Sequence, residues 1–132
     1  MITTKFIEDE VFESATQEGQ TLKFDMRSQG LKKNMGPTEA LLASTAVCIA
    51  VDVVSILKKK RKTVNNLVIE TTADRRESHP RGFTRILNKF ILSSPDTSKD
   101  DFYKVTKLAL DKYCSVAATL SAKVEIEVVV KA

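Results

Sequence analysis

The sequence predicts an α+β fold with the element order β-β-β-α-β-β-α-β, an antiparallel sheet wrapped around one long central helix. Three observations carry that expectation. The run from Pro37 to Lys60, PTEALLASTAVCIAVDVVSILKKK, contains no glycine and no proline after its first residue, and reads as one helix. Lys123 to Lys131 alternates with a period of two, Val124, Ile126, Val128 and Val130 on one side and Lys123, Glu125 and Glu127 on the other. Val64 to Ala73 and Phe83 to Leu92 are two strand-like stretches flanking the polar turn 75–82, which pairs them as a long hairpin.

Taken in order, Ile2, Thr4 and Phe6 share one side of a first strand, Val11 follows an acidic turn, and Thr21 to Met26 resumes after Gln-Glu-Gly-Gln at 17–20. This is a meander of two or three short strands. Residues 27–36 form a polar, glycine-containing connection whose cations are Arg27, Lys32 and Lys33, a natural loop to line a site near the helix. Gly36-Pro37 starts the helix, because proline has no amide hydrogen to leave unpaired at a first helical position. Glu39 adds a carboxylate where the helix dipole favours one, and Lys58 to Lys62 set cations against the opposite end. Between them the apolar residues from Ala40 to Leu57 cover nearly every direction around the axis, so the helix is expected to be buried all round. A chain of 132 residues is too small to wrap it alone, and a partner subunit is expected on one side. Ser44, Cys48 and Asp52 recur every four residues and share one stripe. An unpaired buried charge is too costly, so Asp52 is expected at a crevice, paired or neutral.

In the second half, His79 falls in the hairpin turn before Pro80 and is read as an exposed side chain. Thr97 or Ser98 caps a second helix whose apolar face is Phe102, Val105, Leu108 and Ala109; it runs to about Tyr113 and delivers Cys114 at its end. Residues 115–120 are a short helical or irregular bridge to the last strand.

At 42% hydrophobic and 29% charged, the 132 residues describe one domain, 1–132, without low-complexity segments. No uninterrupted apolar run approaches the ~18 residues of a bilayer span, and MITTKFIEDE lacks the apolar core of a signal peptide. A cytoplasmic location without a membrane partner is the expectation. Much of the net charge of +4 comes from Lys58 to Lys62, read as a solvated helix end. No nucleic-acid fingerprint accompanies it, and no nucleic-acid partner is expected, although an accessory nucleic-acid role through this cluster stands as a third possibility.

Two cysteines and one histidine are too few soft ligands for a tetrahedral zinc site. The residues alone leave two readings of the thiols open: Cys48 as a small buried hydrophobe with Cys114 incidental, or a functional pair. A resemblance favours the second. Gly36-Pro-Thr-Glu-Ala-Leu-Leu-Ala-Ser-Thr-Ala-Val-Cys48, followed by Asp52-Val-Val, resembles the central helix of the OsmC/Ohr family, the osmotically inducible and organic hydroperoxide resistance proteins. Lys112-Tyr-Cys-Ser-Val116 resembles that family's second cysteine motif, with the hairpin and helix between in the matching places.

The resemblance implies an intertwined homodimer and thiol peroxidase chemistry in oxidative stress defence. Cys48 would be the peroxidatic residue, its thiolate attacking an organic hydroperoxide and becoming a sulfenic acid. Cys114 would resolve it as a Cys48–Cys114 disulfide, reduced in turn by an external dithiol, a small thiol or a lipoyl-type group. No metal or organic cofactor is required. In the hydroperoxide-resistance members an early arginine and a glutamate directly after the helix-start proline support the thiolate. Here Thr38 holds that glutamate position, Glu39 is one step later, and no arginine precedes Arg27, so the match is nearer the broader OsmC-like group. Glu39 and Arg27, expected to pair, complete the candidate catalytic set, with Lys32 or Lys33 as alternatives to the arginine. The runner-up reading is a non-catalytic or redox-sensing protein of the same fold, binding a small apolar ligand at the dimer interface.

Overall fold

The computed structural model describes residues 1–132. Three strands, β1 (Ile2–Glu8), β2 (Val11–Thr16) and β3 (Thr21–Asp25), precede the helix α1 (Pro37–Lys59). There follow β4 (Asn66–Arg75), β5 (Phe83–Ser93), α2 (Lys99–Leu108), a π-helical turn (Ala109–Tyr113), α3 (Ser115–Thr119) and β6 (Lys123–Lys131). The chain packs as two units, Met1–Leu41 and Leu42–Ala132.

In the N-terminal unit β1, β2 and β3 form an antiparallel sheet with Phe6 opposite Phe12, Phe12 opposite Phe24 and Ser14 opposite Leu22. Opposed residues share a face, and a strand shows alternate residues to each side, so Ile2, Phe6, Phe12, Leu22 and Phe24 line one face. The rings of Phe6 and Phe12 meet edge to face at 5.7 Å. That face stays open to solvent, Ile2 and Phe6 each 63% exposed. Only the Val11/Asp25 end of this sheet is buried. Gly19 makes the turn between β2 and β3 with φ of 96°, a conformation that favours glycine.

Both ends of α1 are hydrogen-bonded in recognisable ways. The Gly36 amide donates to Glu39 Oε1 at 2.9 Å, so the first-turn carboxylate reaches back over the start of the helix as in half of a capping box. At the other end Arg61 N donates to Lys58 O and Lys62 N to Leu57 O, both at 2.9 Å, a Schellman closure with Arg61 at φ of 58°.

In the C-terminal unit β4 pairs antiparallel with β5, as the hairpin predicts, but β5 pairs parallel with β6. The expected single antiparallel sheet is thus two three-stranded sheets, the second mixed. The chain leaves β5, crosses through α2, the π-helical turn and α3, and re-enters alongside it in the same direction, which a crossover of that length permits. Ile49, Val53 and Leu57 form one stripe of α1 and pack with Phe90 and Leu92 of β5, Val128 of β6, and Phe102, Val105 and Ala109 around α2. Ser98 is the cap of α2, its hydroxyl accepting from Asp101 N at 3.1 Å, while Thr97 turns inward to Ser94. One buried side chain keeps an unmet polar atom: Asn88 of β5 is fully buried, its Oδ1 accepts from Thr71 Oγ1 at 2.8 Å, and its Nδ2 has no partner.

Within one chain α1 is buried on one side only. Ser44, Val47, Val51 and Ser55 are exposed along the stripe opposite the core, Val47 at 60% and Val51 at 62%. An apolar rod this long has more surface than one chain of this size covers. By length and composition alone α1 could cross a bilayer, with a mean hydropathy of 2.3 over 18 residues. Ile49, Val53 and Leu57 are committed to the core instead, so it is a core helix with one uncovered side.

Candidate functional site

The C-terminal unit brings the two thiols together from positions far apart in sequence. Cys48 lies one residue before Ile49 on α1, partly buried, and packs against the cluster that contains Cys114. Cys114 is 3% exposed. Its placement depends on the π-helical turn, which ends as Cys114 N donates to Ala109 O at 3.0 Å and turns Ala109 and Leu110 into the core. Such wide turns inside helices occur often at functional sites. The Cys114 sulfur then caps α3, accepting from Ala117 N at 3.3 Å.

Burial pushes the Cys114 thiol above its ordinary pKa; the Ala117 amide opposes that rise and the adjacent Cys48 thiol adds to it. Both cysteines are reduced and free. Cys114 is therefore a protonated, sheltered thiol, and Cys48 is the one with access to the surface. Two neighbouring thiols of unequal exposure can be oxidised in sequence, one meeting an oxidant and the other trapping the product.

Asp52, one turn beyond Cys48, is half-buried and makes no ion pair, reaching solvent at the border between the packed and open sides of α1. Ser44, one turn before, is exposed. His79 sits exposed in the hairpin turn, and no three His, Cys, Asp or Glu side chains gather where they could hold a metal ion.

Arg27 and Glu39 both lie in the N-terminal unit, and the expected pairing between them is absent. Arg27 instead grips Asp25 with Nε at 3.0 Å and a terminal nitrogen at 2.8 Å. Asp25 is fully buried and also accepts the amides of Lys33 at 2.8 Å and Arg27 at 3.1 Å. The Arg27 side chain first and the Lys33 amide second hold the Asp25 carboxyl far below the usual carboxylate range. A carboxylate two residues away, fixed at the end of β3, offers the planar guanidinium a two-pronged partner and so outcompetes Glu39. Glu39 pairs with Lys32 and with the Gly36 amide, in that order of influence on its lowered pKa. Lys33 contributes its backbone amide to the Asp25 node. Sequence reasoning passed over Asp25. Its signal was an aspartate at a strand end two residues before an arginine, a spacing at which the side chain binds the following backbone.

The OsmC-like protein family profile matches residues 30–129. Protein YhfA of Escherichia coli strain K12 is 35% identical over 122 residues, 92% of this chain and 90% of that protein. A solved hypothetical protein from Aquifex aeolicus VF5 is 31% identical with a TM-score of 0.85, covering 99% of this chain and 95% of that one. The organic hydroperoxide resistance protein OhrB of Bacillus subtilis shares the fold at 14% identity with a TM-score of 0.63, covering 99% of this chain and 98% of its own.

Proposed function

The chain belongs to the OsmC-like protein family, and from that premise we propose that it is a cysteine-based peroxidase reducing organic hydroperoxides to alcohols. The observation that carries the reading is the neighbouring pair of free thiols, Cys48 partly open and Cys114 enclosed. The fold shared with organic hydroperoxide resistance proteins supports it. In the first step the Cys48 thiolate attacks the terminal oxygen of ROOH; the S–O bond forms as the O–O bond breaks, RO⁻ takes a proton, and the products are Cys48 sulfenic acid and ROH. In the second, the Cys114 sulfur displaces the hydroxyl from Cys48, the thiol hydrogen leaves with it as water, and the disulfide forms. A dithiol reductant then exchanges with that disulfide and restores both thiols. The raised pKa of Cys114 supports this division of labour, because it keeps the resolving sulfur protonated while the peroxide meets Cys48.

The substrate class follows from the apolar residues flanking Cys48, Val47 and Val51 among them, which suit a lipophilic alkyl group better than hydrogen peroxide. A homodimer is part of the proposal. The open face of Ile2, Phe6 and Leu22 and the open stripe of Val47 and Val51 are apolar surfaces that a second copy would cover.

A second reading, a redox-sensing or ligand-binding protein without turnover, is favoured by one observation. Arg27 is neutralised by Asp25 and Lys32 by Glu39, so two of the three cations nominated to stabilise a thiolate are already paired. The two readings part in one assay. With cumene hydroperoxide and a dithiol in excess over protein, peroxidase function predicts catalytic consumption that Cys48→Ser abolishes. With the dithiol left out, Cys114→Ser should leave a sulfenic acid on Cys48 that dimedone captures. Wild-type turnover in both variants contradicts the assignment, and stoichiometric oxidation without turnover selects the sensor.

A further inference from the structure

The basic end of α1 has no part in the thiol chemistry, and it is more than a charged helix terminus. The chain carries 21 Lys and Arg against 17 Asp and Glu. Without Lys58, Lys59, Lys60, Arg61 and Lys62 the remainder would hold sixteen against seventeen, so the whole positive excess of the protein is concentrated in five consecutive residues. The first four of these are exposed. Two further lysines are brought to the same end. Thr63 donates its amide to Asp96 at 2.9 Å, placing the α1 cap beside the turn that leads to Lys99. Ser94 N donates to Lys131 O at 2.8 Å, drawing in the end of β6. Asp96 is the carboxylate within this group; it lies beside Lys62 and is held by Thr63 and Ser94. Asp100 and Asp101 lie in the first turn of α2.

A second observation is independent of the charge. Arg61 occupies the position of the Schellman closure where the backbone must be left-handed, at φ of 58°. Glycine takes that position in most helices because any Cβ there is crowded, at a cost of roughly 1–2 kcal/mol. An arginine held in a conformation unfavourable to it, at the tip of the only strongly basic segment, is the pattern of a residue kept for contact with something outside the fold.

We propose that this cap of α1 is a docking surface for an anionic membrane face, held by lipid phosphate headgroups. This revises the expectation, drawn from composition, that membranes are not a partner; the contact is peripheral and spans nothing. Four of the five cations are lysines, compact point charges on flexible stems, which suit a laterally mobile array of phosphates better than fixed two-pronged recognition. Clusters of four to eight such cations bind anionic lipid, each contributing about a fivefold gain in affinity. No large apolar or aromatic side chain is exposed among residues 56–67 or 93–99, so there is no stacking platform for single-stranded nucleic acid. The surface is the end of a helix and its closing turn, not a groove that follows a strand.

The test is co-sedimentation of the full chain with vesicles of phosphatidylcholine alone and of phosphatidylcholine with phosphatidylglycerol. Binding is expected only to the anionic vesicles and should fall steeply with added salt. The combined variant Lys58→Gln, Lys59→Gln, Lys60→Gln, Lys62→Gln should lose it, whereas Arg75→Gln with Arg76→Gln and Arg81→Gln, which removes cations from the hairpin turn, should retain it. Arg61→Gly separates charge from folding: its melting temperature should rise, since glycine relieves the left-handed backbone, while its affinity for anionic vesicles should drop about fivefold. Any of three results overturns the proposal: no binding to anionic vesicles, undiminished binding by the lysine variant or Arg61→Gly, or tighter binding to duplex DNA than to the vesicles at equal salt. Cys48→Ser should bind vesicles as the native chain does, so this inference stands or falls apart from the peroxidase reading.

Discussion

Each of the two units of this chain is stabilised within itself, and by opposite means. Leu42–Ala132 buries a continuous apolar cluster, with Phe90 and Phe102 fully enclosed among residues from α1, β5, α2 and β6. Met1–Leu41 has no such cluster. Its phenylalanines and Leu22 lie on an open sheet face, and its buried centre is the Asp25 carboxylate with Arg27 and the Lys33 amide. One unit has a closed apolar core of its own; the other presents hydrophobic surface and relies on directional polar bonds. The difference teaches where a second copy matters most: the C-terminal unit leaves only the Val47/Val51 stripe of α1 for one to cover, and the N-terminal sheet has most of its apolar area still to bury.

Truncation at matched phenylalanines breaks or supports that contrast most forcefully. Phe102→Ala should cost about 3–5 kcal/mol in chemical denaturation, as for any well-packed aromatic core residue, at every protein concentration. Phe6→Ala should cost far less in dilute solution, with a deficit that grows as concentration rises and native copies associate. An equal, concentration-independent loss in both variants would show that the N-terminal sheet is already packed within one chain.

Acid titration probes the polar centre of the N-terminal unit. The folded-state pKa of Asp25 lies below its unfolded value of about 3.9, chiefly through the Arg27 side chain, so its contribution is complete above the unfolded value and disappears as pH falls toward the folded one. Glu39, Asp96 and Glu125 are lowered too and add to the acid slope of the native protein. Melting curves of Asp25→Asn should therefore start lower at neutral pH and converge on the native curve in acid. Curves that stay parallel would mean that Asp25 is no anchor.

A smaller effect belongs to the apolar unit. Asn88 leaves its amide nitrogen unpartnered in the core, and an unmet buried polar group costs about 1–3 kcal/mol. Asn88→Leu, close in volume, should raise the melting temperature; a fall would mean that the lost Thr71 hydrogen bond outweighs the unmet amide.

How far the sequence disclosed all this depends on the range of the interaction. The length of α1, the 64–92 hairpin and the β6 alternation were legible because each repeats within a few residues. The parallel pairing of β5 with β6 was not, since it is decided by how a crossover of three short helical pieces docks. The π-helical turn is one irregular ring of bonds and leaves no period to detect, yet it sets Cys114. Cys48 and Cys114 were nominated through resemblance, and the fold makes them neighbours. Arg27 and Glu39 were nominated as a pair by opposite charge, and proximity assigned each a different partner. The stop of α1 read as solvated lysines because no glycine marked the left-handed residue, which proved to be Arg61.

Peroxidase function requires the two thiols to form one redox unit. Stoichiometric cumene hydroperoxide should convert the native chain, without added reductant, to a species lighter by the two thiol hydrogens, and peptide mapping should join Cys48 to Cys114. Recovery of Cys114 as a free thiol beside a sulfinic or sulfonic Cys48, or of both thiols unchanged, would contradict it.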